Sequence, residues 1–244
     1  MIETLLYIVG IGFVGMYGLA PLLVYSQNGQ PERFRLDSIP KESVLEETEE
    51  HFHALAQQIE VNGFGYIAAS AFSMQQTTTH FMLFGNEEKR LYIMLTQISN
   101  PNVPTEVFTE ISQLFDDDTV IDVLNASMDP AYPPSPRKVM FRFPEIQEVS
   151  ELVAVTEKII ASYLSSKRAV TFPKGRELET IARLLNEEQD ELITKGYLKN
   201  EARDGIRGLT LKGAYLMTWK LLWPIKQIRQ SRNRAFAQKI LAEA

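Results

Sequence analysis

No cysteine occurs in the 244 residues. That excludes a disulfide scaffold, a thiolate-ligated zinc or iron–sulfur site, and a cysteine nucleophile. Histidine is sparse, with only His51, His53 and His80. There is no GxSxG, no Walker A and no HExxH, and Gly63-Phe64-Gly65 falls short of GxGxxG. The usual sequence support for acyl transfer and phosphate cradling is therefore missing. Positive charge is also short overall. Twenty-five basic residues face 31 acidic ones, a net charge of −6, so bulk nucleic-acid affinity is not expected. What is present is globular in kind: 45% hydrophobic and 23% charged residues, enough chain for one large domain or two small ones.

The strongest pattern comes at the start. Residues 4–25 form an uncharged run of 22 residues. As a helix at about 1.5 Å per residue it would reach roughly 33 Å, enough for a hydrocarbon core of about 30 Å. A cleaved signal would want a basic leader, a shorter core and a small-x-small site, and this run has none of them. Gly12, Gly15 and Gly18 recur at threes, a spacing that is not GxxxG. Arg33, Arg35 and Lys41 follow the run and no basic residue precedes it. By the positive-inside rule the expectation is a single-pass protein of the cell membrane, N-terminus outside and the remainder cytoplasmic.

The expected division is a transmembrane anchor over 1–26, a linker over 27–40, an α+β domain over 41–166, a further module over 167–224 and a basic helical tail over 225–244. The linker reads from two prolines, a glycine and few apolar residues. Within the α+β domain, Val44, Phe52, Leu55 and Ile59 recur at helical spacing from Ser43 to about Glu60, ended by Asn62-Gly63. Strand-like segments follow at 66–74, 77–84, 90–98, 107–115, 119–124 and 138–143, and Glu145–Leu164 reads as a second long helix. The order predicts an antiparallel sheet with helices over one face. A charge break falls near residue 166. Residues 1–166 carry 9 basic and 22 acidic side chains, and residues 167–244 carry 16 and 9. That asymmetry argues for two modules.

In the second module, 176–185 and 187–195 read as two helices, Gly196 as a stop, Tyr197-Leu198-Lys199 and Leu209-Thr210-Leu211 as strands around a polar loop, and Lys212-Gly213-Ala214 as the lead into another helix. Over residues 170–223 this order, with Gly-Tyr-Leu after the helix and Leu-Thr-Leu-Lys-Gly closing the loop, resembles a winged helix. The resemblance implies a fold, and function does not follow from a fold. The segment in the position of a recognition helix opens with four acids in five residues from Glu187, which phosphate would repel. The loop does carry Lys199, Arg203, Arg207 and Lys212. DNA is thus not the expected partner, although a DNA-binding regulator tethered to the membrane is the alternative reading.

Candidate chemistry elsewhere is thin. Glu50-His51-Phe52-His53 holds one Glu-x-x-His, but His51 and His53 would point about 200° apart on a helix. Asp116-Asp117-Asp118 lacks the glycine and glutamate of a calcium loop and fits a hairpin turn. Ser135-Pro136-Arg137-Lys138 satisfies Ser-x-x-Lys only formally, because it lies among prolines. No catalytic residue, metal ligand or cofactor is expected. The residues singled out are Trp219, Trp223, Lys226, Arg229, Arg232 and Arg234, where tryptophan beside lysine and arginine suggests contact with a membrane surface. The expected function is a non-enzymatic, membrane-anchored interaction or scaffold protein, with membrane lipids and an unidentified protein as partners.

Overall fold

The computed structural model describes residues 7, 12, 15–74, 76–130 and 132–243. They divide into two compact units, each drawn from several stretches of chain. The first comprises residues 1–34, 130–133 and 184–231; the second comprises 35–129, 134–183 and 232–244.

The second unit is built on a seven-stranded sheet. Strands β2 (Gly65–Met74), β3 (Thr77–Asn86), β4 (Leu91–Asn100), β5 (Val103–Phe115), β6 (Val120–Leu124) and β7 (Lys138–Arg142) follow one another in space, and β8 (Ala169–Val170) pairs with the end of β5. Neighbours from β2 to β6 are antiparallel, but β7 runs parallel to β6. The sheet is therefore mixed, which corrects the expectation of an antiparallel one. A parallel return needs a crossover of about a dozen residues, and the proline-bearing stretch 125–137 supplies it.

Helices α2 (Lys41–Glu47), α3 (Glu50–Val61) and α4 (Val149–Tyr163) belong to this unit. Their apolar faces, with Val44, Phe52, Leu55, Ile59, Leu152 and Ile159, share one core with Phe84, Ile93, Leu95, Ile111, Ile121, Val123 and Phe141 of the sheet. The helix expected from Ser43 to Glu60 is broken at Thr48-Glu49. The Thr48 hydroxyl donates back to the Val44 carbonyl at 2.8 Å, and the Glu49 amide turns to the Gln97 side chain at 2.9 Å, so the sheet takes the bond that would have continued the helix. A smaller cluster of Leu83, Tyr92, Leu114 and Phe172, with Ile67, Met94 and Ile181, forms on other side chains of the same strands.

In the first unit the described part of the uncharged run is a five-residue π-helix, Gly15–Leu19, followed by α1 (Ala20–Gln27). Pro21 stands at the start of α1, where its missing amide proton costs nothing. Among the described residues no helix is long and apolar enough to cross a membrane. This overturns the single-pass anchor, the membrane localisation and the topology inferred from flanking charge. Residues 1–6, 8–11, 13 and 14 of the expected anchor lie outside the described residues.

Within the stretch expected as a linker, Gly29–Pro31 forms β1, antiparallel to β9 (Ile206–Gly208). A Cβ at Gly29 would lie 2.7 Å from the Ile206 side chain and 3.1 Å from the Arg207 carbonyl oxygen, so this close approach requires glycine. Residues 177–194 form one helix, α5 (Glu177–Thr194), instead of two. No glycine or proline interrupts them, and Asn186 spends its side chain across the fold instead of capping a helix end. Leu198 and Leu209 form a bridge, α6 (Leu211–Leu221) begins under a Thr210 cap, and α7 (Ile225–Glu243) follows. Leu192, Tyr197, Leu198, Leu209, Ala214 and Met217 make the buried centre, joined by Val24, Tyr25 and Tyr132.

Candidate functional site

The polar face of α5 in the first unit is occupied by the chain itself. The Asn186 side chain accepts from the Phe34 amide at 2.8 Å and donates to the Phe34 carbonyl at 3.0 Å, pairing that residue as a neighbouring strand would. Gln189, only 1% exposed, donates to the Pro31 carbonyl at 2.7 Å. Arg33 meets Asp190 at 2.9 Å, and the Glu32 amide donates to the Gly205 carbonyl at 2.8 Å. Residues 29–34 are therefore a strap held by β9 on one side and by Asn186, Gln189 and Asp190 on the other. Sequence reasoning missed it. Its only advance sign is a glycine and a proline in a polar stretch, which linkers also carry.

Of the polar loop's cations Arg207 is turned inward, while Lys199, Arg203 and Lys212 are exposed. Arg207 is 7% exposed and donates to the carbonyls of Lys199 and Asn200. Lys212 donates to the Lys195 carbonyl at 2.8 Å, and the Lys199 ammonium lies over the Tyr25 ring, 4.7 Å from its centre. Arg203 is exposed. A helix whose polar face is strapped offers few donors to phosphate, although three loop cations stay at the surface.

A different surface of the same unit is apolar and open. Tyr215 donates to the Gly18 carbonyl at 3.3 Å, the Trp219 indole donates to the Tyr17 carbonyl at 3.4 Å, and the Tyr17 hydroxyl donates to the Trp223 carbonyl. The spacing of four along α6 puts Tyr215 and Trp219 on one side, against the π-helix and the start of α1, while Trp223 follows the extended Leu222 beyond the helix end. These contacts leave much of the apolar surface uncovered. Trp223 is 68% exposed and Trp219 43%, beside Leu23 at 61%, Leu19 at 60% and Ile228 at 55%. Lys226 is exposed and Arg229 is half-buried; Arg232, which belongs to the second unit, is exposed. Arg234 lies in α7, but its side chain is outside what the structure describes. From Gly205 to Ala242 the sequence contains no Asp or Glu.

The second unit contains a groove of about 880 Å³ between the sheet and residues 171–177, lined in part by Tyr66, Ile67, Gly85, Tyr92, Phe172 and Lys174. Gly85 leaves room for the Tyr92 ring, which stacks on Phe172 with centres 4.0 Å apart. The Tyr92 hydroxyl accepts from the Phe172 amide at 2.8 Å. Burial raises its pKa, and the nearby Glu177 and Glu87 add to that, against the lowering effect of the Phe172 bond. The polar groups here are already engaged. Asn86 donates to the Gly63 carbonyl and accepts from the Lys89 amide, and Glu177 accepts from the Gly175 amide.

The buried charges of the sheet likewise serve the fold. Glu106 accepts from the Ser127 amide and hydroxyl and from the Met128 amide, all within 2.8 Å. Arg142 pairs with Asp129 and donates to the carbonyls of Ala126 and Met128. Asp122 takes the Lys138 ammonium at 2.5 Å and the Ser112 hydroxyl at 2.6 Å. The lysine of the formal Ser-x-x-Lys is thus an ion-pair partner of a buried strand carboxylate. His80 is buried against Glu47 at 3.0 Å, and His53 meets Thr48 at 3.1 Å. Among the described residues no three His, Asp or Glu side chains are grouped to hold a metal. No protein-family profile, curated protein or solved structure matches the chain.

Proposed function

We propose that the protein is a non-enzymatic interaction module that docks a protein partner on the aromatic face of its first unit. One observation carries this reading. Trp219, Trp223, Leu19, Leu22, Leu23, Leu221 and Ile228 are all more than 40% exposed, in a unit that buries other apolar side chains completely. Burying one large apolar side chain yields about 1.5–3 kcal/mol, so leaving this many in water is a cost that a partner would remove. Exposed tryptophans next to cations are also the residue types on which binding energy concentrates.

The test is site-specific photocrosslinking in cells, with a photoreactive residue at Trp223 or Leu23 and a control at Glu88 in the exposed β3–β4 turn. A discrete adduct from 223 and 23, absent from 88, is the expected result. No adduct at 223, or the same pattern from all three sites, would remove the reading.

A second reading, a DNA-binding regulator, draws support from the succession of helix, strand, polar loop, strand and helix over 177–221 and from the exposed Arg203. The strap over α5 and the inward Arg207 weigh against it. A sequence-specific footprint by the intact chain, surviving 200 mM salt, would establish it over the docking reading.

A further inference from the structure

We infer that two copies of the chain pair by exchanging an arm of residues 15–34, each arm completing the first unit of the other copy. The inference goes beyond the docking reading and does not rest on it. It starts from how the first unit is made. The arm and residues 184–231 both belong to that unit, while residues 35–183, nearly all of them in the second unit, lie between the two in the sequence. What seats the arm therefore comes from the far side of that gap. Gly29–Pro31 pairs with Ile206–Gly208, Val24 and Tyr25 pack on the cluster of Leu192, Tyr197, Leu209 and Met217, and Arg33 meets Asp190 at 2.9 Å. Strand pairing, apolar contact and charge are all complementary to one occupant, this arm. The arm of a second copy brings the same groups and makes the same contacts.

The hinge decides between the two sources of arm. Phe34 is bonded to Asn186 through both its amide and its carbonyl, and Ile39 is bridged to Ala69 of β2. Only Arg35, Leu36, Asp37 and Ser38 join these two held residues, and they belong to no helix or strand. At about 3.5 Å or less per residue they leave the chain little slack. A short hinge between held ends favours exchange, because reaching to a second copy keeps the arm's contacts and frees the chain from closing on itself. The second unit has a buried centre of its own, so it can form while the arm and residues 184–231 are still apart. The chain's own arm then competes with those of other copies through its effective concentration, which is on the order of mM for a flexible link that spans easily and falls as the link becomes too short. Leu19, Leu22 and Leu23 travel with the arm and Trp219 and Trp223 do not, so each aromatic face of the exchanged dimer is built from two chains.

The experiment uses the full chain, refolded from urea at about 5 µM and at about 500 µM, with mass read by size-exclusion chromatography and light scattering. A dimer should form at the higher concentration and persist for hours after dilution, because an arm must leave its seat before the copies part. Hinge length separates this dimer from one held by any other surface. About ten Gly and Ser residues inserted after Asp37 should lower the dimer fraction at least about tenfold, at unchanged far-ultraviolet circular dichroism. Disulfide trapping then reads whose arm is seated. The chain has no cysteine of its own, and Pro31 stands opposite Ile206 in the β1–β9 pair. In Pro31→Cys combined with Ile206→Cys, oxidised after refolding at the higher concentration, the bond should join two chains. After refolding at the lower concentration it should close within one. A chain that stays monomeric at both concentrations would overturn the exchange. So would a dimer indifferent to hinge length, or one whose disulfides stay within single chains.

Discussion

Burial pushes the Tyr132 phenol up to about 12, where its ordinary value is 10.0. The ring stands edge-on to Tyr197, with centres 6.4 Å apart, inside the core of the first unit. A raised value means that the folded state prefers the neutral phenol more strongly than the unfolded chain does. Its contribution to stability is complete below pH 10 and is lost as pH rises towards about 12. Tyr92 shifts in the same direction for the same leading reason, so the second unit carries a similar alkaline weakness. In Tyr132→Phe the phenol is gone and its share of the alkaline loss should go with it. Urea midpoints followed from pH 8 to pH 11.5 should fall less steeply in the variant than in the parent. Parallel curves would mean that Tyr132 ionises in the folded chain as freely as in the unfolded one.

At the scale of elements, the strap and α5 stand or fall together through Asn186. Its amide replaces a strand neighbour for Phe34, so Asn186→Ala leaves an N–H and a carbonyl without their partner. Each such loss costs about 1–2 kcal/mol when water reaches the site poorly. The variant should lose about 2–4 kcal/mol, and the amides of residues 29, 30 and 32–34 should exchange faster while those of β3 and β4 do not. An unchanged exchange rate at Phe34 would show that β1 holds the strap alone. What the sequence discloses, and what it hides, divides along the same line. Period-two runs such as Leu91, Ile93 and Leu95 show their strand, and the three-and-four spacing of Phe52, Leu55 and Ile59 shows its helix, because those patterns are set by local geometry. The break at Thr48 and the strap depend on Gln97 and Asn186, 48 and 152 residues away, and the parallel β7 on a crossover without secondary structure of its own, none of which leaves a local trace. The exposed tryptophans were visible as a motif. Their neighbourhood with Tyr17 and Gly18 was not, since it joins opposite ends of the chain. The uncharged run misleads for a related reason: its length and apolarity suggest a span, whereas Gly15–Leu19 is a π-helix and Ala20–Gln27 an eight-residue helix.

On the scale of the whole molecule, the chain enters the first unit, leaves it at residue 34, and re-enters chiefly at residue 184. After residue 231 it passes to the second unit again. Each has its own buried centre: Leu192, Tyr197, Leu209 and Met217 in one, and Phe52, Phe84, Ile93 and Phe141 in the other. Separate centres predict separate cooperative openings. Gly213 is the place to test this. The N-terminus of α6 passes so close to Tyr197 that a Cβ on residue 213 would lie 2.1 Å from the Tyr197 carbonyl oxygen and 2.8 Å from its Cα, both backbone atoms that cannot swing aside. Gly213→Ala must push α6 off the Tyr197 segment, at a cost of about 1–3 kcal/mol or more by the measure of overpacked cores. The Gly213 amide, which bonds the Thr210 hydroxyl at 2.9 Å, would be displaced with it. Amide exchange in the variant should accelerate across α5 beyond Leu184, β9 and α6, while β3, β4 and β5 keep the protection of the parent. Because the aromatic face is carried by α1 and α6, the same substitution should also abolish the crosslink from residue 223. Uniform loss of protection in both units would show that the two open together.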